Sequence, residues 1–143
     1  MTTTRIDYPL SISASHIDHM GHVNNAVYLS WVQEAVVKHW EKFASSEAQA
    51  SYLWVALKHE ITYRRAAFLE DNLIASVVLE RVNGVRAFYR TAIMRGSDVL
   101  AEIESVWCSV DAVSHRPVRV ARDIVAGFLD GGPPHDADMA SAA

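Results

Sequence analysis

The sequence has a single cysteine, Cys108, among 143 residues. No internal disulfide can form, and a reducing compartment is the natural setting. Basic charge is scarce too: 13 Lys and Arg stand against 17 Asp and Glu, a formal net charge of −4. That balance argues against nucleic acid as the main partner, because phosphate backbones demand a net or strongly clustered basic surface. A small anionic ligand needs only a local basic pocket. No apolar run approaches the roughly 18 residues of a membrane span, so no membrane association is expected. Asp7 and Pro9 interrupt "MTTTRIDYPLSIS", which leaves it without a signal-peptide core and makes the cytoplasm the expected location. Neither a G-x-S-x-G elbow nor a Gly-rich phosphate loop occurs.

What is present is orderly. Half the residues are hydrophobic, enough for one core. Ile6, Tyr8, Leu10 and Ile12 alternate as in a strand, and Pro9 confines it to an edge or early position. From Tyr28 the period changes. Tyr28, Trp31, Val32, Ala35, Val36, His39, Trp40 and Phe43 fall on one face of a helix of about 19 residues, about 28 Å long. Asn24 or Asn25 is placed to cap it. "ASSEAQAS" (residues 44–51) closes it as a turn or loop. Strand character follows for sixty residues, with Asn83-Gly84 as a type I′ hairpin signal and "RGSD" as the next turn. Both faces of these strands carry apolar residues, so both sheet faces are expected to be covered in part. "RDIVAGFLD" suits a short helix, and "GGPPHDADMASAA" reads as a disordered tail. The expected organisation is one α+β domain over residues 1–130, an antiparallel sheet of about five strands wrapped around one long central helix, then the tail 131–143.

The chemistry concentrates in "SHIDHMGHVNNAVYLSW" (residues 15–31), just ahead of the helix. A helix N-terminus has unpaired N–H groups and partial positive charge, which polarise a carbonyl or bind an anion. Asp18 faces that end, with Gly21 allowing a bend between them. A carboxylate opposite a carbonyl held by N–H groups is an acyl-transfer arrangement, the carboxylate being nucleophile or general base.

"DHMGHVNNAVY" (residues 18–28) resembles the D-x-x-G-H-V-N-N-x-x-Y signature of hotdog-fold thioesterases of the 4-hydroxybenzoyl-CoA thioesterase type. "EITYRRAAFLEDNL" (residues 60–73) and "SVDAVSHRPVRV" (residues 109–120) are similar to later segments of that family. The resemblance implies a hotdog fold and hydrolysis of an acyl-CoA or other acyl thioester without metal or cofactor. It implies that Asp18 is catalytic and that the N–H near Asn25 polarises the thioester carbonyl. It also implies a homodimer or homotetramer with the site at the subunit interface. His22 stands where plant acyl-carrier-protein thioesterases carry a site histidine. Many relatives have a second acid two positions before the catalytic one; here that position is His16.

Other roles stay open for the same residues. Asp18 could cap a turn, and Asn24 or Asn25 could be purely structural. Gly21, Asn24, Tyr28, Arg64 and Arg65 are candidates for substrate contact, although Tyr28 also suits the core. Arg64 and Arg65, with Arg116 and Arg119, are candidates for coenzyme A phosphates, or else a solvated strand end and tail. His16, His19 and His22 invite a zinc reading, but their spacing matches no metal motif. His39, Cys108 and the four tryptophans read as core. The rival functions are a hotdog dehydratase acting on 3-hydroxyacyl thioesters, a non-catalytic thioester-binding protein and, more remotely, a metal-dependent hydrolase.

Overall fold

The computed structural model describes residues 4–130, so the expected tail 131–143 lies outside the described residues. The chain runs β1 (Arg5–Leu10), a 3₁₀ turn (Ala14–His16), α1 (Val27–Phe43), α2 (Ser46–Ser51), β2 (Tyr52–Tyr63), β3 (Leu73–Asn83), β4 (Arg86–Arg95), β5 (Asp98–Asp111) and α3 (Arg122–Asp130). The strands form one sheet in the order β1-β3-β4-β5-β2, every neighbouring pair antiparallel. This is the expected α+β hotdog architecture. Pro9 lies in β1, an edge strand, where a missing N–H costs least.

The sheet bends around α1. Register shifts fall between Ala56 and Lys58 in β2 and between Leu79 and Arg81 in β3, and such bulges kink and twist a strand. Its concave face is lined by alternating residues such as Val77 and Leu79 on β3, Tyr89 and Ile93 on β4, and Ile103 and Trp107 on β5. Against it lies the helix face foreseen from the 3.6-residue period: Tyr28, Trp31, Val32, Ala35, Val36, His39 and Trp40 are all buried. Phe128 of α3 closes one end of this core, its ring 4.9 Å from Trp40 and 5.4 Å from His39.

Three local expectations change. "SEAQAS" is the helix α2, because the Ser45 side chain accepts from Ala48 N–H and nucleates a turn that apolar periodicity does not signal. The β3–β4 loop is Gly84-Val85 rather than Asn83-Gly84. Asn83 pairs with Arg86, and only Gly84, at φ +63°, needs the left-handed region, as in a type II′ turn. The convex sheet face is largely charged: Arg90 reaches Glu80 at 3.0 Å and Glu104 at 3.9 Å. Its apolar Phe88 is covered by the Arg81 guanidinium at 3.8 Å.

Candidate active site

Asp18 opens a tight loop between β1 and α1. Its N–H donates to the His22 carbonyl at 2.9 Å, Gly21 N–H donates back to the Asp18 carbonyl at 3.0 Å, and Ile17 and Val23 form an antiparallel bridge. Gly21 sits at φ +79° with open space around it, so backbone conformation rather than crowding demands glycine there. Asp18 is half-buried, and its Oδ1 accepts from Met20 N–H at 3.0 Å. Among the described residues, none donates to its Oδ2.

The turn that leads into α1 is closed by its own hydrogen bonds. Asn24 Oδ1 accepts from Ala26 N–H at 2.9 Å, the Asn24 carbonyl from Val27 N–H and the Asn25 carbonyl from Tyr28 N–H. The N-cap of α1 is Ala26, without a side-chain cap, so neither asparagine takes the capping position expected of it; Asn24 instead holds the turn just before the helix through its bond from Ala26 N–H. The N–H of Asn25 finds no acceptor among the described residues. The Asn25 N–H is thus one of the helix-start donors left for an acceptor from outside.

Asp18, His22, Asn24, Asn25, Tyr28, Arg64 and Arg65 line one cleft of about 440 Å³, together with Met20, Val23, Tyr63 and Ala66. Gly21 is absent from its wall; its part is to shape the loop. Tyr28 is buried, stacked edge-on at 5.2 Å from both Trp31 and Tyr63, and burial foremost raises its phenol pKa. It serves the core and the wall at once. Arg64 Nε donates to Glu102 at 2.7 Å, and Arg65 lies 4.0 Å from Asp98. Both arginines are more than half exposed, at the rim.

Arg116 and Arg119 are not with them. Asp111, whose N–H donates to the Arg116 carbonyl, pairs with Tyr52 at the start of β2, whereas Tyr63 and the rim arginines are at its end. Arg119 lies by Gly84 at the β3–β4 hairpin. The twelve residues of β2, about 40 Å of strand, separate the two pairs. The histidines also diverge. His16 Nδ1 accepts from Ser13 N–H with its ring edge-on to Trp31, His22 packs on Phe68 at 5.3 Å, and His19 is exposed. Among the described residues no three His, Cys, Asp or Glu side chains gather as metal ligands, and no helix is long and apolar enough to cross a membrane.

Tyr63 is the site residue that sequence reasoning missed. Its only signal was its place at the end of an alternating strand, directly before Arg64-Arg65. Behind the cleft the loop after β2 is braced by Asp71, which accepts from Arg95 at 2.9 Å and from Phe68 N–H at 2.8 Å. Val23 N–H ties the Asp18 loop to the same segment through the Ala67 carbonyl.

Known proteins share this arrangement of elements. An 83-residue stretch, 52% of this chain, is 32% identical to the long-chain acyl-CoA thioesterase FadM of Escherichia coli, of which it spans 58%. A thioesterase of Thermus thermophilus, complexed with coenzyme A and Zn, superposes with a TM-score of 0.74 at 19% identity, over 85% of this chain and 95% of that one. For the probable thioesterase YbaW of Escherichia coli the TM-score is 0.69 at 23% identity, over 82% and 92%. These two structures share the fold. The sequence model of the thioesterase-like superfamily matches residues 12–128, a span that runs from just before the Asp18 loop into α3. A match over that much of the chain makes it a member of the thioesterase-like superfamily.

Proposed function

We propose that this protein is an acyl-CoA thioesterase, its activity carried by a single domain over residues 1–130. One observation carries the proposal: Asp18, with a carboxylate oxygen that no described residue occupies, and Asn25, with an N–H that none accepts, line the same cleft. The thioester carbonyl oxygen accepts from the Asn25 N–H, which stabilises the negative charge that grows there. Asp18 attacks the carbonyl carbon or takes a proton from the water that does. By either route a C–O bond forms, the C–S bond breaks and the sulfur leaves as the coenzyme A thiol once protonated; where Asp18 is the nucleophile, a water then hydrolyses the acyl-aspartyl anhydride, which releases the acid and restores the carboxylate. His22, in the same wall, is placed to exchange protons with solvent. Arg64 and Arg65 at the rim suit the phosphates of the coenzyme A arm. The reaction requires no metal or cofactor.

The acting form is proposed to be a homodimer, or a tetramer built from it, in the cytoplasm. β2 is an open edge strand, and its outward residues Leu53, Val55 and Leu57 are each about half exposed. A second copy pairing along this edge would bury that stripe and bring its own surface to Tyr63 and the cleft.

The test is thiol release from a panel of acyl-CoA substrates by wild type and Asp18→Asn. Asparagine can still accept from Met20 N–H, so the loop survives. Hydrolysis that falls about a hundredfold or more in the folded variant, roughly 3 kcal/mol of barrier, is the expected result. A variant as active as wild type would refute the role of Asp18.

A further inference from the structure

The chain offers an oxidant one cysteine, Cys108, and four methionines, at positions 1, 20, 94 and 139. Met1 and Met139 lie outside the described residues. Cys108 is buried, its thiol directed at the Ser109 carbonyl 3.5 Å away. Met94 is half-buried on β4. Met20 is 64% exposed. Among the described residues it is therefore the sulfur that a soluble oxidant meets first.

An exposed methionine is common and by itself means little. The setting of Met20 is specific. Its N–H donates to Asp18 Oδ1 at 3.0 Å, and the next residue, Gly21, closes the loop at φ +79°. Met20 also lines the same cleft as Asp18, Asn25, Arg64 and Arg65. A fixed backbone thus holds the most exposed sulfur in the wall of the candidate site. The cleft has to stay open to its substrate, so Met20 stays within reach of a small peroxide.

Resting on the thioesterase reading above, we propose that Met20 is a site of reversible oxidation: a peroxide converts its thioether to the sulfoxide, which slows the reaction at Asp18. The sulfur attacks one peroxide oxygen, an S–O bond forms and the O–O bond breaks. The proton on the transferred oxygen passes to the departing one, which leaves as water. Sulfur gives up two electrons and the peroxide gains them. A methionine sulfoxide reductase returns the thioether at the expense of thiols.

The effect on the site follows from polarity. A thioether is apolar and a weak acceptor, whereas a sulfoxide is polar and accepts strongly. The proposed reaction depends on the Asn25 N–H, for which no described residue is an acceptor. A strong acceptor in the same cleft competes with the thioester carbonyl for such a donor and retains water beside it. Water there weakens the charge stabilisation on which the step relies.

The test treats the full chain with limiting hydrogen peroxide, then maps sulfoxides by peptide mass and measures thioester hydrolysis on the same samples. Met20 is expected to gain one oxygen before Met94 does, and kcat/KM to fall in step with it. At full Met20 oxidation the fall is expected to be about tenfold, short of the hundredfold or more that follows outright loss of an oxyanion donor. Methionine sulfoxide reductases of both stereospecificities should restore the rate, which separates this effect from oxidation of Cys108. Met20→Leu is compared only with its own untreated rate, which peroxide should no longer lower. Met20→Gln, whose amide carbonyl is an acceptor like the sulfoxide, should be slow before any peroxide is added.

Met94 oxidised ahead of Met20, or a rate unchanged at full Met20 oxidation, overturns the proposal and leaves the thioesterase reading standing. So does a peroxide-induced loss that persists in Met20→Leu, because the sensitive group is then elsewhere. If the untreated protein hydrolyses no thioester, the thioesterase reading fails, and coenzyme A binding measured by calorimetry decides the rest. An affinity lowered by Met20 oxidation keeps Met20 as a control on the cleft; an affinity unchanged, or no binding at all, overturns it.

Discussion

Tyr63 Oη donates to the backbone carbonyl of Asn25 at 3.0 Å, joining the last residue of β2 to the first turn of α1. That carbonyl also accepts from Tyr28 N–H, so the peptide next to the free Asn25 N–H is held from two sides. Tyr63→Phe keeps the ring contact with Tyr28 and removes one hydrogen bond. One such bond is worth about 0.5–1.5 kcal/mol net. The expected outcome is a fall in kcat of about three- to tenfold with KM nearly unchanged, because the loss is of orientation at the reacting carbonyl. Steady-state kinetics on one good substrate decide it, and a change confined to KM would contradict this role.

Asn24 holds the same turn from the other side. Asn24→Ala removes the acceptor for Ala26 N–H, and losing one such hydrogen bond costs about 1 kcal/mol. Asn24→Asp retains an acceptor and adds a negative charge at the helix start, which favours the helix. Urea unfolding should therefore rank Asn24→Asp close to wild type and Asn24→Ala below it. A destabilisation equal in both would mean that the side-chain nitrogen, not the oxygen, matters.

The long helix was legible because burial on one face imposes a 3.6-residue period, and even His39 obeys it. The polar loop was legible as a cluster because so many polar side chains precede an apolar run, and Asp18, His22, Asn24 and Asn25 do line one cleft. The details fixed by tertiary pairing were not. The hairpin loop slid by one residue to Gly84-Val85 because strand register decided which positions became the turn. Arg116 and Arg119 looked like companions of Arg64 and Arg65, since charge is readable and distance along a sheet is not. Tyr63 joined the site only because β2, last in the sheet order, lies beside the start of α1.

His59 lies on the inward side of β2, its ring 5.7 Å from Trp107, with both ring nitrogens buried and without hydrogen-bond partners among the described residues. Burial lowers its pKa, so it is neutral at pH 7. An unsatisfied buried polar atom costs about 1–3 kcal/mol. His59→Leu, close in volume, should therefore stabilise the ligand-free protein by about 1 kcal/mol. The urea midpoint should rise with an unchanged slope. A lower midpoint would show that the imidazole already has a partner in solution.

His39, fully buried on α1, belongs to a directed chain of hydrogen bonds. Thr4 Oγ1 donates to the Phe128 carbonyl at 2.8 Å, so it accepts from His39 Nε2–H, also at 2.8 Å. His39 Nδ1 is then left to accept from the Tyr89 hydroxyl at 3.0 Å. Only the neutral imidazole fits this pattern, and burial above all lowers the His39 pKa from 6.5 to about 4. In the unfolded chain the ring takes up a proton below about pH 6.5, while in the folded chain it does so only below about pH 4. The unfolded state therefore binds more protons in this window, and stability falls as pH falls through it. The full loss is about 3 kcal/mol, from 1.36 kcal/mol per unit over the shift. It is complete near pH 4 and absent above about pH 7. Urea unfolding of wild type between pH 7.5 and 4.5 should show this slope. His39→Gln, which offers an amide donor and acceptor but cannot titrate, should lose most of it. Parallel pH profiles for the two proteins would mean that His39 is already charged in the folded core, with the hydrogen-bond chain running the other way.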